Sequence, residues 1–348
     1  FMNWALIGYG GMGRWHVETL GKMPELFRIC GIYDIDEKKR RQAEENGLHA
    51  YATLDELLND GAVELVTIAT PNDCHRPLAI AAMEHGKHVI SEKPVTLSAL
   101  DLQAMIDTAK DKSRIFSVHQ NRRWDEDFLV MKKIYQENTL GRVFNIESRV
   151  HGSRGVPGDW RNRKLPGGGM ILDWGVHLLD QLLQMVPEDV ISVYNINSHI
   201  TNDEVDDGFK ALITFASGLT AHVEVGTSNF INMPRWYMQG ENGTAIIHDW
   251  ALNGEIVMVS DWEKRDAVPV VTAAGLTKTM APRTDDTIRH YPLPTVTSDV
   301  KDYYRNIHKA IRGEEPQLVT HPQMMRVMKL MEALMLSAER NEVIHGRI

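Results

Sequence analysis

The hexapeptide Gly8-Tyr9-Gly10-Gly11-Met12-Gly13 follows the apolar run Trp4-Ala5-Leu6-Ile7 and opens a stretch at helical spacing over 14–23. In a G-x-G-x-x-G turn between strand and helix, the glycines give a tight turn, close backbone approach to a pyrophosphate and close packing of helix on strand. The helix start adds free N–H groups and a positive dipole end. Asp34, at the end of the next strand-like run, is placed to accept hydrogen bonds from an adenosine ribose. Gly8, Tyr9, Gly10, Gly11, Met12, Gly13, Asp34 and Ile35 are therefore expected to bind a dinucleotide. The Asp34 charge repels a 2′-phosphate and Ile35 offers it no donor, so NAD is the expected cofactor. NADP is disfavoured, although the basic residues 38–41 lie close by.

Outward from this turn, strand-like runs at 27–33, 65–69, 89–90 and 115–118 alternate with helical patterns at 36–46, 76–85 and 97–110, the last with Ser98 as N-cap. That alternation predicts an α/β Rossmann domain, a doubly wound parallel sheet, over 2–121. Beyond it, runs at 210–215, 219–225, 236–240 and 245–248 follow one another with turns such as Ser217-Gly218 between them, so a mostly antiparallel sheet is expected in a second domain, 122–348. Residues 261–294 are polar and aperiodic and read as a long loop, with Tyr291 near its end. The stripe Met324, Met328, Met331 and Met335 has helical spacing and reads as core.

The 348 residues suit two domains. With 38 basic and 47 acidic residues the formal charge is −9, which argues against nucleic acid as a partner. No apolar run approaches the ~20 residues that span a bilayer, so no membrane segment is expected. No secretory leader pattern precedes the first strand, and Cys30 and Cys74 are too few for a disulfide framework; a cytoplasmic location is expected.

Three further segments carry chemistry. Thr70-Pro71-Asn72 and Glu92-Lys93-Pro94 both follow strands, at the sheet edge where open α/β sheets bind ligands. In Gly167-Gly168-Gly169-Met170-Ile171-Leu172-Asp173-Trp174-Gly175-Val176-His177-Leu178-Leu179-Asp180, the glycines leave room for a ligand, and Asp173, His177 and Asp180 fall on one helix face. A carboxylate one turn before an imidazole can orient it or share a proton with it. No second His or Cys stands at a ligand-like spacing, so no metal is expected.

These motifs together resemble the Gfo/Idh/MocA oxidoreductases, which include inositol and glucose–fructose dehydrogenases. The likeness rests on GYGGMG, Asp34, TPN with His75, SEKP, NRRWDEDF from Asn121, GDWR ending in Arg161, and GGGMILDWGVHLLD, and it runs nearly the whole chain. It implies a catalytic group of Lys93, Asp173 and His177, and a C-terminal α+β domain whose large open sheet builds a homodimer or homotetramer. It further implies cofactor contacts from Thr70, Pro71, Asn72, His75, Glu92, Lys93, Asn121, Trp160 and Arg161, and substrate contacts from Lys93, Arg123, Trp160, Asp173 and His177. His151, Ser153 and Arg154 lie on the approach to this region. The expected substrate is a sugar, glycoside or inositol, because polar side chains read hydroxyls and an aromatic ring covers a C–H face. The expected reaction is oxidation of a secondary ring hydroxyl, with His177 chosen as base, Asp173 orienting it and Lys93 stabilising the alkoxide, and with Lys93 as the alternative proton acceptor. The alternatives are a glycoside-processing enzyme that retains and recycles NAD, and a non-catalytic NAD or sugar sensor.

Overall fold

The computed structural model describes residues 1–265 and 267–348. In chain order the first half contains β1 (Met2–Ile7), α1 (Gly11–Gly21), β2 (Phe27–Tyr33), α2 (Glu37–Glu45), α3 (Leu54–Asn59), β3 (Leu65–Ile68), α4 (His75–Glu84), β4 (His88–Ser91), α5 (Ala99–Asp111) and β5 (Phe116–Val118). The five strands are parallel, in the order β2-β1-β3-β4-β5. All four residues of β3 are buried, as expected of a strand covered by helices on both faces. Asp36, Thr53 and Ser98 cap α2, α3 and α5 through their side-chain oxygens, which fixes where each helix starts.

The second half contains α6 (Glu126–Gln136), β6 (Val143–His151), α7 (Val176–Met185), β7 (Val190–Ser198), β8 (Gly208–Phe215), β9 (Thr220–Gly226), β10 (Trp236–Gly240), β11 (Gly243–Ile247), β12 (Gly254–Val259), a small hairpin of β13 (Val270–Thr272) and β14 (Gly275–Thr277), β15 (Ile288–Tyr291), α8 (Lys301–Ile311), α9 (His321–Arg340) and β16 (Ile344–His345). Nine strands form one sheet, β15-β12-β11-β10-β6-β9-β8-β7-β16, in which only β6 and β9 run parallel. Along β8, Phe209, Ala211, Ile213 and Phe215 are buried while Lys210 and Leu212 are exposed. This period-two pattern marks a sheet packed on one face and open on the other.

One expectation changes. The segment 261–294 is not one loop: it holds the β13–β14 hairpin and β15, which pairs with β12 at the sheet's outer edge; residue 266 lies outside the described residues. Tyr291 pairs with Ile256 there, and the exposure of Arg289, His290 and Tyr291 on this edge strand explains the weak apolar signal. The division at residue 121 is crossed as well. Helix α8 returns to the Rossmann domain, where the Tyr304 hydroxyl meets His16 Nδ1 at 2.5 Å and the Tyr303 hydroxyl donates to Ser117 at 3.0 Å. The Met324, Met328 and Met331 side chains of α9 are buried, and α9 packs on β7, α7 and α5.

Candidate active site

At the turn after β1, Gly8 has φ +99° and a Cβ there would fall 2.4 Å from the Ala69 carbonyl oxygen. A Cβ on Gly13 would fall 2.0 Å from the Gly8 carbonyl oxygen. Both glycines are required by close packing of β1, β3 and α1. Gly10 and Gly11 differ, since nothing lies within 4 Å of a Cβ built on either. The loop is thus tight at its base and open over the first turn of α1, a cradle that fits a pyrophosphate. Asp34 is buried and accepts from the backbone N–H of Tyr9 and of Asp36, both at 2.8 Å, so its carboxylate is fixed against the loop. Ile35 beside it is 88% exposed. The Tyr9 side chain turns inward, where its hydroxyl accepts from Asn46 at 2.9 Å.

The 70–72 turn and the glycine run interlock. Asn72 is buried and donates from Nδ2 to the Gly167 carbonyl at 2.8 Å, while the Thr70 hydroxyl is turned to the Pro71 carbonyl. The glycines at 167–169 serve this packing rather than leaving room for a ligand. A Cβ on Gly168 would meet the Arg161 carbonyl at 2.2 Å, and one on Gly169, with φ +101°, would meet the Asp206 carboxylate at 2.3 Å. Asp206 in turn accepts from the N–H groups of Met170 and Ile171, each at 2.9 Å, and so caps the helical segment that carries Asp173 and His177. Its burial pushes its carboxyl up to about 7, against the pull of those backbone bonds.

Lys93, at the end of the turn after β4, reaches across to that segment. Its Nζ donates to the Asp173 carbonyl at 2.7 Å and lies 3.5 Å from Asp173 Oδ1. Arg161 Nε donates to the same Oδ1 at 3.1 Å, and its guanidinium covers the Trp160 ring at 4.6 Å. Burial lowers the Lys93 pKa and Asp173 opposes the shift. His177 is buried, and its Nδ1 has no hydrogen-bond partner. Burial first, then the Lys93 charge, holds its pKa well below the usual imidazole range, so the ring is neutral at neutral pH. Lys93 and Asp173 therefore meet as an ion pair, and the unbonded His177 ring lies within the field of that lysine.

Several expected roles need correction. Asp173 does not orient His177, because its carboxylate is engaged by Arg161 and Lys93. Residues 171–175 form a π-type turn, which shifts the i, i+4 alignment that an α-helix would give. Asp180 is bound at 2.8 and 2.9 Å by Arg123, which also reaches Gln323 of α9 at 3.0 Å. Arg123 thus ties 121–124 to α7 and α9. Glu92 points away from the cofactor cradle: Oε1 accepts from His16 Nε2 at 2.6 Å and His119 Nδ1 at 2.8 Å, and all three are buried. These contacts are shorter than ligands around one ion stand from each other, so the group is a hydrogen-bonded cluster. Its Oε2 accepts from the Lys93 N–H at 3.2 Å, which fixes the backbone that carries the lysine. The ring nitrogens of buried His75 face the carbonyls of Thr70 and Pro94, at 2.9 and 2.8 Å, and the one that carries the proton donates, so the ring braces two turns. His151 pairs with Glu224 on the open sheet face. Asn121 Oδ1 is buried with no partner.

Sequence reading also missed residues that the fold adds. His16 and His119 come from α1 and the end of β5, too far apart in sequence for any spacing to reveal. The Arg122 guanidinium lies over the Trp174 ring at 4.3 Å, and Trp174 meets His177 edge-on at 5.5 Å. Of the two neighbouring arginines, Arg122 faces the site.

The buried imidazoles make a pH prediction. His16, His75, His88 and His177 all have pKa values lowered chiefly by burial, that of His88 to about 4. The unfolded chain therefore binds more protons below the ordinary imidazole pKa of about 6.5 than the folded protein does. Their stabilisation is complete above that pH and is lost as the pH falls toward the folded values, by up to about 1.4 kcal/mol per pH unit for each fully buried group. Asp206, raised to about 7, acts in the opposite sense over this window, but one carboxyl is outweighed by several imidazoles. Melting temperatures should therefore fall on balance from about pH 7 to about pH 5, and a rise would show that these rings are not held neutral.

The chain is similar to known proteins along nearly its whole length. The description "Oxidoreductase family, NAD-binding Rossmann fold" of the GFO/IDH/MocA group matches residues 2–120, and that group's C-terminal domain matches 128–246. The uncharacterized oxidoreductase YdgJ of Escherichia coli is 30% identical, covering 98% of this chain and 97% of its own. The scyllo-inositol 2-dehydrogenase (NADP(+)) IolW of Bacillus subtilis is 28% identical over 98% of this chain and 94% of its own. A crystal structure of an NAD-binding protein from Listeria innocua superposes with a TM-score of 0.96 at 47% identity, over 99% of both chains.

Proposed function

The chain belongs to the GFO/IDH/MocA family and is an NAD(P)-dependent oxidoreductase, and from that premise we propose that it oxidises a secondary ring hydroxyl of a sugar, glycoside or inositol with NAD as hydride acceptor. The observation that carries this reading is the meeting of Lys93, from the edge of the nucleotide-binding sheet, with Asp173 and the unbonded His177 ring of the second domain. Gly10, Gly11 and the first turn of α1 would hold the pyrophosphate and Asp34 the ribose. When bound, NAD supplies a ring carbon that accepts hydride.

In this reading Lys93 Nζ, kept charged by Asp173, donates to the substrate oxygen and stabilises the negative charge that develops there. The neutral imidazole of His177 takes the hydroxyl proton. Arg161 holds the Asp173 carboxylate so that it stays beside the lysine, and the braces made by His75 and Asn72 keep the turns closed on one another. The intact Lys93, Asp173 and His177 set favours an enzyme over a sensor, which has no use for a proton-transfer group. A homo-oligomer formed through the open sheet face fits the exposed Phe144, Ile196 and Leu212 on its strands.

Asp34 supports NAD as the cofactor. Its buried carboxylate stands where a 2′-phosphate would bring like charge, so NAD should be preferred. Replacing it by serine is expected to cut NAD preference over NADP roughly 10-fold or more, a loss of about 1.4 kcal/mol of discrimination. Binding of NADH and NADPH by titration calorimetry checks this, and equal affinities in the unchanged protein would refute the NAD assignment.

A further inference from the structure

We propose that Trp250 forms an outer subsite for a second sugar ring, so that the enzyme's substrate is a glycoside of two or more rings rather than a free monosaccharide or inositol. The inference rests on the polyol-oxidising reading above. Trp250 sits in the turn between β11 and β12 and is 53% exposed. An exposed indole on a turn is commonly mobile, but this turn is built. Asp249 accepts from the N–H groups of Ala251 and Asn253 at 3.0 and 3.2 Å and from the Asn253 side chain at 2.8 Å, and His248 N–H donates to the Asn253 carbonyl at 2.7 Å.

Two cations hold the ring itself. The Arg122 guanidinium lies 5.7 Å from the Trp250 ring centre and that of Arg235 lies 5.3 Å from it. Arg235 is buried and anchored by Ser148 at 2.6 Å, Gln181 at 2.9 Å and Asp127 at 3.2 Å. Arg122 is tied to Asp125 at 2.9 Å, while its Nε is buried without a partner. The indole is thus pre-organised, which lowers the entropy lost when a ligand settles on it.

Its position gives the ligand class. Trp174 meets the His177 ring edge-on with ring centres 5.5 Å apart, and the Trp250 ring centre lies 6.1 Å from that of Trp174. Trp174 thus links the Trp250 ring to the reacting group through two ring contacts in series. A ring oxidised at His177 and a second ring joined to it by a glycosidic bond follow that series. A flat indole covers the apolar C–H face of a pyranose, and the guanidinium beside it donates to the hydroxyls at the edge. A free inositol occupies only its inner end and leaves Trp250 in water.

The test compares glucose and myo-inositol with maltose and cellobiose, in the unchanged protein and in Trp250→Ala and Trp250→Phe. Because the side chain is half exposed, neither change should impair folding. At least one disaccharide is expected to exceed both monocyclic substrates in kcat/KM by about 10-fold. Trp250→Ala should remove that advantage while altering the monocyclic substrates less than about 3-fold, and Trp250→Phe should keep most of it. Equal effects of Trp250→Ala on both classes, or none, would overturn the subsite and leave the dehydrogenase reading standing. If no compound is oxidised, the dehydrogenase reading fails, and tryptophan fluorescence titrated with the same four compounds still decides the subsite. Saturable quenching by a disaccharide that Trp250→Ala abolishes supports it; no quenching overturns it. A change of oligomeric state in Trp250→Ala, seen by light scattering, would mean that the indole is a subunit contact and would also overturn it.

Discussion

Lys93→Met is expected to slow hydride transfer by roughly 10²–10⁴-fold, a barrier increase of about 3–5 kcal/mol, while NADH binding changes little. The ammonium is a charged donor held between the nucleotide-binding sheet and the second domain, with its Nζ fixed by the Asp173 carbonyl and carboxylate. Methionine keeps the apolar stem and removes the charge. The loss therefore falls on stabilisation of the developing alkoxide and not on packing, since both Lys93 and Asp173 keep a partly solvated edge. Single-turnover kinetics read the first part, and NADH titration by fluorescence reads the second. Undiminished turnover would remove Lys93 from the reaction.

His177→Asn is expected to cost a comparable 10²–10⁴-fold in roughly the same assay, because the amide cannot take a proton at neutral pH. Two further readouts separate a proton acceptor from a packing residue. The acid limb of kcat/KM should lie below the ordinary imidazole value of about 6.5, since burial and the Lys93 charge hold the ring neutral to lower pH. Activity thus persists as pH falls until the ring protonates. In the variant that limb should disappear from the residual rate. If His177→Asn instead lowers the melting temperature and leaves the rate of the folded fraction intact, the ring is core. The unpartnered Nδ1 argues for the first outcome, because a buried imidazole that only packs is normally hydrogen-bonded.

Most of the Rossmann half is legible in sequence because its signals are local. The glycine turn, the Asp34 spacing and the alternation of short buried strands with capped helices each act within about ten to twenty residues. The antiparallel sheet is legible as a class, through period-two runs, but not in its order, since pairing β6 parallel to β9 is a long-range choice. The return of α8 to the first domain is invisible for the same reason: nothing near Tyr303 and Tyr304 announces Ser117 and His16 as partners.

At the site, motif residues mark location better than orientation. Arg122 and Arg123 are adjacent, yet one faces Trp174 and the other Asp180, a division set by the short helical turn over 121–124 that carries both. Glu92 stands beside Lys93 and points the opposite way, into His16 and His119. Trp174 reads as an ordinary apolar helix residue. Only its contact with His177 and its place before Trp250 give it a role.

The central claim is that hydride passes from a ring carbinol carbon to NAD in a site proton-managed by Lys93 and His177. The most direct test offers the protein NAD⁺ and a polyol or glycoside deuterated at its ring carbinol carbons, and follows the label by mass spectrometry. One deuterium per turnover is expected in the NADH formed, with release lowered in step in Lys93→Met and His177→Asn. NADH without label, or label released to water with no NADH, would contradict it.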